Sequence, residues 1–302
     1  MYNENILEEI YQLLLHKSPL AAKKMKRNLK RMDDRHAAFA QEYFLKYKSY
    51  LISRNQTIEY GVDCYVRLIQ DMIEMRAQFL QTGRYANTSF EEVNRAIYAN
   101  ADVMEYHIHG LLLAQFLWPD QYQRFTFFRD NLINYKPISK YLEIGGGHGI
   151  YVDAAFRQLP SDTVFDVIDI SQSSLNLSQG ILNNKTINYC HKDIFDFSPA
   201  YKYNFITIGE VLEHLVSPEH MLLHLASLLM PEGTIYMTTP VNAPMIDHIF
   251  LFNNIEEIRN LILKAGFVID RELSVVSEDM DDAMAAELKI PIMYAAFLKK
   301  KK

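Results

Sequence analysis

Cysteine is nearly absent. The 302-residue chain has two, Cys64 and Cys190, too few for a disulfide framework or a cysteine zinc site, and that points towards a reducing compartment. Long apolar runs are missing as well: none reaches the roughly 18 residues that a membrane span needs. The opening segment, MYNENILEEIYQLLLHKSPL, carries acids where a secretory leader carries positive charge, so a cytoplasmic protein that spans no membrane is expected. Glycine is scarce through the first 135 residues, where Gly61, Gly83 and Gly110 are its only occurrences. Internal repeats and low-complexity segments are absent. What remains is ordinary: 23% charged and 49% hydrophobic residues, a globular composition with enough chain for one large domain or two modest ones.

The net charge is −6 and unevenly spread. Residues 1–135 hold 17 Lys and Arg against 16 Asp and Glu, whereas residues 136–302 hold 14 against 21. An acidic total argues against a general nucleic-acid binder. The one dense basic stretch is Lys23, Lys24, Lys26, Arg27, Lys30 and Arg31. It reads either as a patch for RNA or an anionic substrate, or as a solvated helix face; charge runs in general favour the second. The terminal lysines 299–302 read as a frayed end.

Residues 1–135 read as helical. Ile6, Ile10, Leu13 and Leu14 recur at helical spacing, as do Phe39, Tyr43, Phe44 and Tyr47, then Val62, Val66, Ile69 and Ile73. Thr88-Ser89-Phe90-Glu91-Glu92 looks like a capped helix start, and Trp118-Pro119-Asp120 like a break between helices. The texture changes at Tyr135-Lys136-Pro137. Beyond it, strands are expected at 141–144, 164–168, 187–190, 204–208, 234–238, 268–276 and 292–298. Helices are expected at 150–158, 171–181, 219–229 and 255–265. Strand alternating with helix gives an α/β fold, a parallel sheet covered on both faces. The last two strands show no helix between them, which predicts an antiparallel pair at one edge. Two domains follow, 1–135 and 136–302.

The strongest chemical signal is Tyr141-Leu-Glu-Ile-Gly-Gly-Gly-His-Gly149, which enters a helix. Gly145, Gly147 and Gly149 let the backbone turn tightly and approach a ligand. The spacing is neither that of a dinucleotide fingerprint nor, without a following lysine, that of a P-loop. Further acids fall at strand ends. Asp169 closes the second strand, placed to bind ribose hydroxyls, Asp193 follows the third, and Gly209-Glu210 closes the fourth. All lie on the carboxyl edge of the expected sheet, where open α/β folds bind ligands. These residues alone predict a nucleotide-like ligand.

Residues 136–300 resemble the class I S-adenosylmethionine-dependent methyltransferases, small-molecule type with an N-terminal helical domain. The resemblance implies a Rossmann-like seven-stranded sheet and S-adenosyl-L-methionine as cofactor. It implies that Glu143 and the glycine loop cradle the methionine part, Asp169 takes the ribose hydroxyls with Ile170 beside them, and Asp193 faces the adenine amino group with Ile194 against the ring. The stretch Leu-Leu-Met-Pro-Glu-Gly-Thr-Ile at 228–235 resembles the family's turn into the fifth strand; Glu232 departs from the usual Pro-Gly-Gly.

A second cluster is Gly209-Glu210-Val-Leu-Glu213-His214, followed later by Asp247-His248. Glu210 and Glu213 share one face of a helical turn, with His214 one residue on. Two carboxylates and two imidazoles at adjacent strand ends could bind a divalent cation such as magnesium, zinc or iron. The arrangement resembles small-RNA 2′-O-methyltransferases and ubiquinone-pathway O-methyltransferases. That likeness implies Glu210, Glu213, His214 and His248 as ligands, with Glu210 near the cofactor too. Relatives without metal carry a similar pattern, so Glu213, His214 and His248 could equally serve as bases or orienting groups. Asp102, Tyr106 and His109 approximate one helix face, either an ordinary polar face or an acceptor contact; Asn242 follows the fifth strand as a further acceptor contact. His107 and His148 carry no separate assignment. The aromatic residues Phe116 to Phe128 form a pocket or, better supported, core. Tyr2 and Tyr11 are lid candidates.

Function follows as methyl transfer to a small-molecule acceptor through O, N or C, in small-molecule biosynthesis. A homodimer through the helical part is compatible with the family. Two other readings stand beside it: a metal-dependent RNA 2′-O-methyltransferase, and an idle domain that binds cofactor or a protein partner.

Overall fold

The computed structural model describes residues 5–301; Tyr2 and Lys302 lie outside them. The first part is helical: α1 (Ile6–Lys17), α2 (Pro19–Leu29), α3 (His36–Ser53), α4 (Ile58–Thr82), α5 (Phe90–Val93), α6 (Ala101–Leu117) and α7 (Pro119–Asn131). A π-helical turn, Asn94–Tyr98, joins α5 to α6. Local chemistry sets these boundaries. Asn5 Oδ1 accepts the Glu8 N–H and starts α1; the Ser89 hydroxyl accepts the Glu92 N–H and starts α5, as the capping signal predicts. Trp118 is extended between α6 and α7, and Pro119 opens the latter without needing an N–H partner.

From Lys140 the chain alternates: β1 (Lys140–Ile144), α8 (Ile150–Gln158), β2 (Val164–Asp169), α9 (Gln172–Leu182), β3 (Ile187–His191), β4 (Tyr203–Gly209), α10 (Pro218–Leu228), β5 (Leu229–Val241), α11 (Ile255–Lys264), β6 (Phe267–Val276), α12 (Asp282–Glu287) and β7 (Ile292–Lys300). One seven-stranded sheet forms in the order β3-β2-β1-β4-β5-β7-β6. The first five strands are parallel, and β7 runs antiparallel between β5 and β6. The expected edge pair is therefore present, but the short α12 lies between its strands. β5 is longer than predicted at both ends, because Leu229 pairs with Tyr203 of β4 and Val241 with Ile292 of β7. The terminal lysines are not frayed up to Lys301. Lys299 and Lys300 belong to β7, Lys300 Nζ donates to the Leu229 carbonyl at 2.7 Å, and the Lys301 N–H to Gly266 at 2.8 Å.

Alternation along the strands splits the apolar side chains between two faces. Leu142, Ile206 and Met237 pack under α10 and α11 with Leu222, Ile258 and Ile262. Tyr141, Phe205, Tyr236 and Phe297 face the other way and join one continuous core with α1, α3, α4, α6 and α7. Phe128 of α7 meets Tyr236 at 5.0 Å between ring centroids, and the Tyr236 hydroxyl donates to the Arg124 carbonyl at 2.7 Å. Phe116, Phe125 and Phe128 are fully buried, so the core reading of the aromatic run holds for them. Among the described residues, no helix is long and apolar enough to cross a membrane.

Candidate active site

A cavity of about 990 Å³ opens along the carboxyl edge of the parallel strands and is roofed by α2, α4 and α6. Its floor starts where β1 ends. Gly145, Gly147 and Gly149 all have positive φ, at 71°, 47° and 80°. Gly145 and Gly147 line the cavity, whereas a Cβ on Gly149 would strike Ser178 Oγ at 2.4 Å. Gly149 therefore seats α8 against α9 rather than lining the cavity wall. Gly146 has no place in the glycine spacing read from the sequence, yet a Cβ there would lie 2.3 Å from Val167 Cγ1. The turn can pass this close to β2 only without a side chain.

Two buried acids stand beside the loop. Glu143 accepts the Tyr141 hydroxyl at 3.1 Å, and burial pushes its pKa up to about 8. Asp169 accepts the Ser171 N–H at 2.7 Å and the Gly147 N–H at 3.4 Å; burial pushes it up to about 6. The strand tip thus ties the glycine loop to β2. Ile170, Asp193 and Ile194 line the same cavity further along the sheet edge. Asp193 also accepts the Phe195 N–H at 2.9 Å. Carboxylates held at strand tips beside an open glycine backbone suit a ligand with hydroxyl and amino groups, as S-adenosylmethionine has.

The second cluster comes together at the other side of the cavity. His214 Nε2 and His248 Nε2 lie 3.9 and 4.0 Å from Glu213 Oε1, too far for hydrogen bonds. Glu213 is fully buried behind the two imidazoles; its Oε2 accepts the Thr239 hydroxyl at 2.9 Å, and its Oε1 has no partner. Burial, reinforced by Glu210, pushes the Glu213 carboxyl well up, and burial pushes His248 down to about 3. His248 Nδ1 meets the Ala243 carbonyl, so it is the protonated nitrogen and Nε2 keeps a lone pair. Tyr98 donates its hydroxyl to Asp247 Oδ2 at 3.3 Å and sits 2.6 Å from His214 Nδ1. With the Tyr98 O–H directed at Asp247, His214 Nδ1–H donates to the tyrosine oxygen and its Nε2 keeps a free lone pair. His107 Nε2 lies 3.6 Å from the same Asp247 oxygen. Burial raises the Asp247 carboxyl, but His214 and His107 outweigh it and hold it well below the usual range. Two imidazole lone pairs and one unpartnered carboxylate oxygen, mutually within 4.8 Å, form a donor set that fits a divalent cation.

Several predicted positions stand elsewhere. Glu210 lines the cavity, as its expected place near the cofactor requires, but it does not join the three donors. Its left-handed backbone (φ 53°) turns the carboxylate to Arg124 Nη1, and Thr238 donates to the same oxygen at 2.8 Å. Arg124 is fully buried and claims the charge. Asp102 is exposed on the first turn of α6 and lies outside the cavity. Tyr106 donates to Asp71 at 2.7 Å with the Arg67 guanidinium over its ring, and His109 Nδ1 meets the Tyr47 hydroxyl at 2.6 Å. Both face α3 and α4 rather than the cavity. The opposite side of α6 lines it instead, with Met104, His107, Ile108 and Leu111. Asn242 (φ 54°) holds its own loop, receiving no cavity exposure and bonding to Phe252 and Asn253. Tyr11 lies under Lys26 between α1 and α2, away from the cavity. Tyr98 and His107 were missed: one ends a helix turn, the other lies in an apolar helix, and neither carries a motif.

Comparison with known proteins agrees with this geometry. The family model described as a methyltransferase domain matches residues 114–272, more than half of the chain. Among curated proteins, the chain is 29% identical over 99 residues to malonyl-[acyl-carrier protein] O-methyltransferase 2 of Ilyobacter polytropus, covering 32% of this chain and 38% of that protein. It is 26% identical over 145 residues to the ubiquinone biosynthesis O-methyltransferase of Coxiella burnetii, covering 45% and 60%. The matched region thus spans less than two thirds of either relative. Among solved structures, the N-methyltransferase NodS of Bradyrhizobium japonicum with S-adenosyl-L-homocysteine has TM-score 0.50 at 16% identity, covering 72% of this chain and all of that one. The mitomycin 7-O-methyltransferase has TM-score 0.53 at 12% identity, covering 76% and 68%. These two likenesses concern the fold. With the family model matched over more than half its length on that fold, the chain belongs to the class I S-adenosylmethionine-dependent methyltransferase family.

Proposed function

We propose that this chain transfers a methyl group from S-adenosylmethionine to a hydroxyl oxygen of a small-molecule acceptor. One observation carries the reading: a single cavity joins the glycine loop to a buried set of imidazoles and carboxylates. The cofactor, when bound, supplies a methyl group already activated on a sulfonium. The chain therefore has two tasks, to hold the acceptor in line and to take its proton. Glu143, Gly145 and Gly147 serve the methionine part, Asp169 and Ile170 the ribose, and Asp193 and Ile194 the adenine. His214 and His248 face the acceptor side as neutral imidazoles with free Nε2 lone pairs. An imidazole pushed down to about 3 takes a proton only from an acidified hydroxyl. A divalent cation held by Glu213 and by the Nε2 atoms of His214 and His248 would instead acidify the hydroxyl as a Lewis acid, and with those lone pairs occupied the released proton would pass to solvent. The two curated relatives, both named as O-methyltransferases, support oxygen as the acceptor atom.

The RNA reading is weaker. Lys24 and Arg27, the centre of the basic stretch, are paired with Glu278 at 2.7 and 3.0 Å, so the run offers less free charge to a phosphate backbone. The test is calorimetric titration with S-adenosylhomocysteine, with EDTA and then with Mg²⁺, Zn²⁺ or Fe²⁺, beside Asp169→Ala, Glu213→Ala and His248→Ala. Micromolar binding, weakened roughly tenfold or more by Asp169→Ala, supports the cofactor site; no binding sinks methyl transfer. Metal binding lost in Glu213→Ala and His248→Ala supports the cation. Cofactor binding without metal leaves His214 and His248 as the bases.

A further inference from the structure

We infer that the methyl acceptor carries an uncharged apolar tail, seated between α2, α4, α6 and the start of β7. The inference rests on the proposed methyl transfer and names the class of its acceptor. A cavity of about 990 Å³ stands at the top of the range of roughly 300–1,000 Å³ for a pocket that buries one drug-sized ligand. It has room for an acceptor beside the cofactor.

The lining divides by chemistry along the cavity. The inner part holds the glycine loop, Asp169, Asp247, His214 and His248. The outer part holds Leu20 of α2, Val66, Ile69 and Ile73 of α4, Leu111 of α6 and Met293 of β7. Val66, Ile69 and Ile73 stand three and four residues apart and form an apolar strip along α4, flanked in the lining by Gln70 and Arg76. At the mouth this strip reaches water: Ile73 is 63% exposed and Leu20 82%. Apolar side chains kept open at the rim of a cavity are what an apolar ligand covers.

Charge at the mouth gives a charged tail little advantage. Lys17 is paired with Glu59 at 2.9 Å and Asp63 at 2.7 Å, and Lys24 with Glu278. Arg76 donates to the carbonyls of Leu288 and Lys289. Lys17 and Lys24 are each neutralised by a carboxylate at the mouth, so an anionic tail there would meet Glu59, Asp63 and Glu278 as well as the lysines. The acceptor class is thus amphipathic: a hydroxyl-bearing head beside the imidazoles and a hydrocarbon chain running out along α4.

The experiment is calorimetric titration of the full chain with 4-ethyl-, 4-butyl-, 4-hexyl- and 4-octylphenol, with and without saturating S-adenosylhomocysteine. The dissociation constant should fall about three- to fourfold per added methylene, the increment of a buried CH₂. Ile69→Asp and Ile73→Asp should flatten that series while S-adenosylhomocysteine affinity stays within about twofold. Ile69→Ser, milder for folding, should flatten it in part. Affinity independent of chain length, or a series unchanged in all three variants, would overturn the proposal. So would tighter binding of the ω-carboxylate analogue, 8-(4-hydroxyphenyl)octanoate, than of 4-octylphenol. Failure of S-adenosylhomocysteine to bind would instead strike the methyl-transfer reading, and the phenol series would still decide on the tail.

Discussion

Glu143 is an acid kept out of water at the end of β1, and its environment has a consequence for pH. The unfolded chain ionises it near the ordinary 4.5, whereas burial in the folded chain holds the proton up to about 8. The folded state therefore binds more protons between those values. The contribution to stability is complete below the lower value and is lost as pH rises through the upper one. Asp169, raised to about 6, adds a slope of the same sign that ends earlier. The ligand-free protein should lose melting temperature as pH rises from about 6 to 8, an interval to which Glu143 and the likewise buried Glu213 both contribute. Glu143→Gln should make that slope shallower in a thermal-shift series, with Glu213 supplying the remainder. An unaltered slope in the variant would show that another group titrates there. The acid itself was legible from the sequence, because it precedes the glycine turn. Its raised pKa was not, since burial depends on what α8 and the helical part place over it.

At the scale of elements, the turn after β4 is decided by a partner from far away. Glu210, Glu213 and His214 are close in sequence and suggest one ligand face. Arg124 of α7 is 86 residues from Glu210 yet bonds its carboxylate. The remaining guanidinium nitrogens, Nε and Nη2, are buried without partners, so Arg124 depends on Glu210 for its charge balance. Glu210→Gln should destabilise the fold by roughly 3 kcal/mol, the lower end for an orphaned buried charge because Glu210 is partly exposed. Chemical denaturation measures that loss. Metal affinity, by the geometry, should stay within about twofold of the parent chain; a large loss would return Glu210 to the ligand set. α6 teaches the same point. Nearly all of its residues from Met104 to Leu117 are buried, so the sequence has no polar stripe to say which face meets the cavity. Asp102, Tyr106 and His109 read as an ordinary polar face or an acceptor contact, whereas His107 is the residue beside Asp247.

At the scale of the molecule, residues 1–135 are proposed to form the acceptor side of the cavity, but they hold no separate core. Ile10, Phe44, Leu68 and Phe116 belong to the same apolar cluster as Tyr141, Phe205 and Phe297 of the sheet. Unfolding should therefore be one cooperative transition in scanning calorimetry, with van't Hoff and calorimetric enthalpies equal. Two resolved transitions would establish independent domains at the boundary near residue 136. The seven strands, the helix starts, the glycine turn and the acids at the strand tips were determined by the sequence itself. Each rests on alternation, caps or backbone freedom, which act over a few residues. The tertiary structure alone decided that Glu210 serves Arg124, that Tyr98 and Asp247 orient His214, that Gly146 is needed against Val167, and that α4 turns an apolar strip into the cavity. Those outcomes depend on contacts between segments tens of residues apart, and on which side of a largely buried helix meets its neighbour; local pattern carries neither.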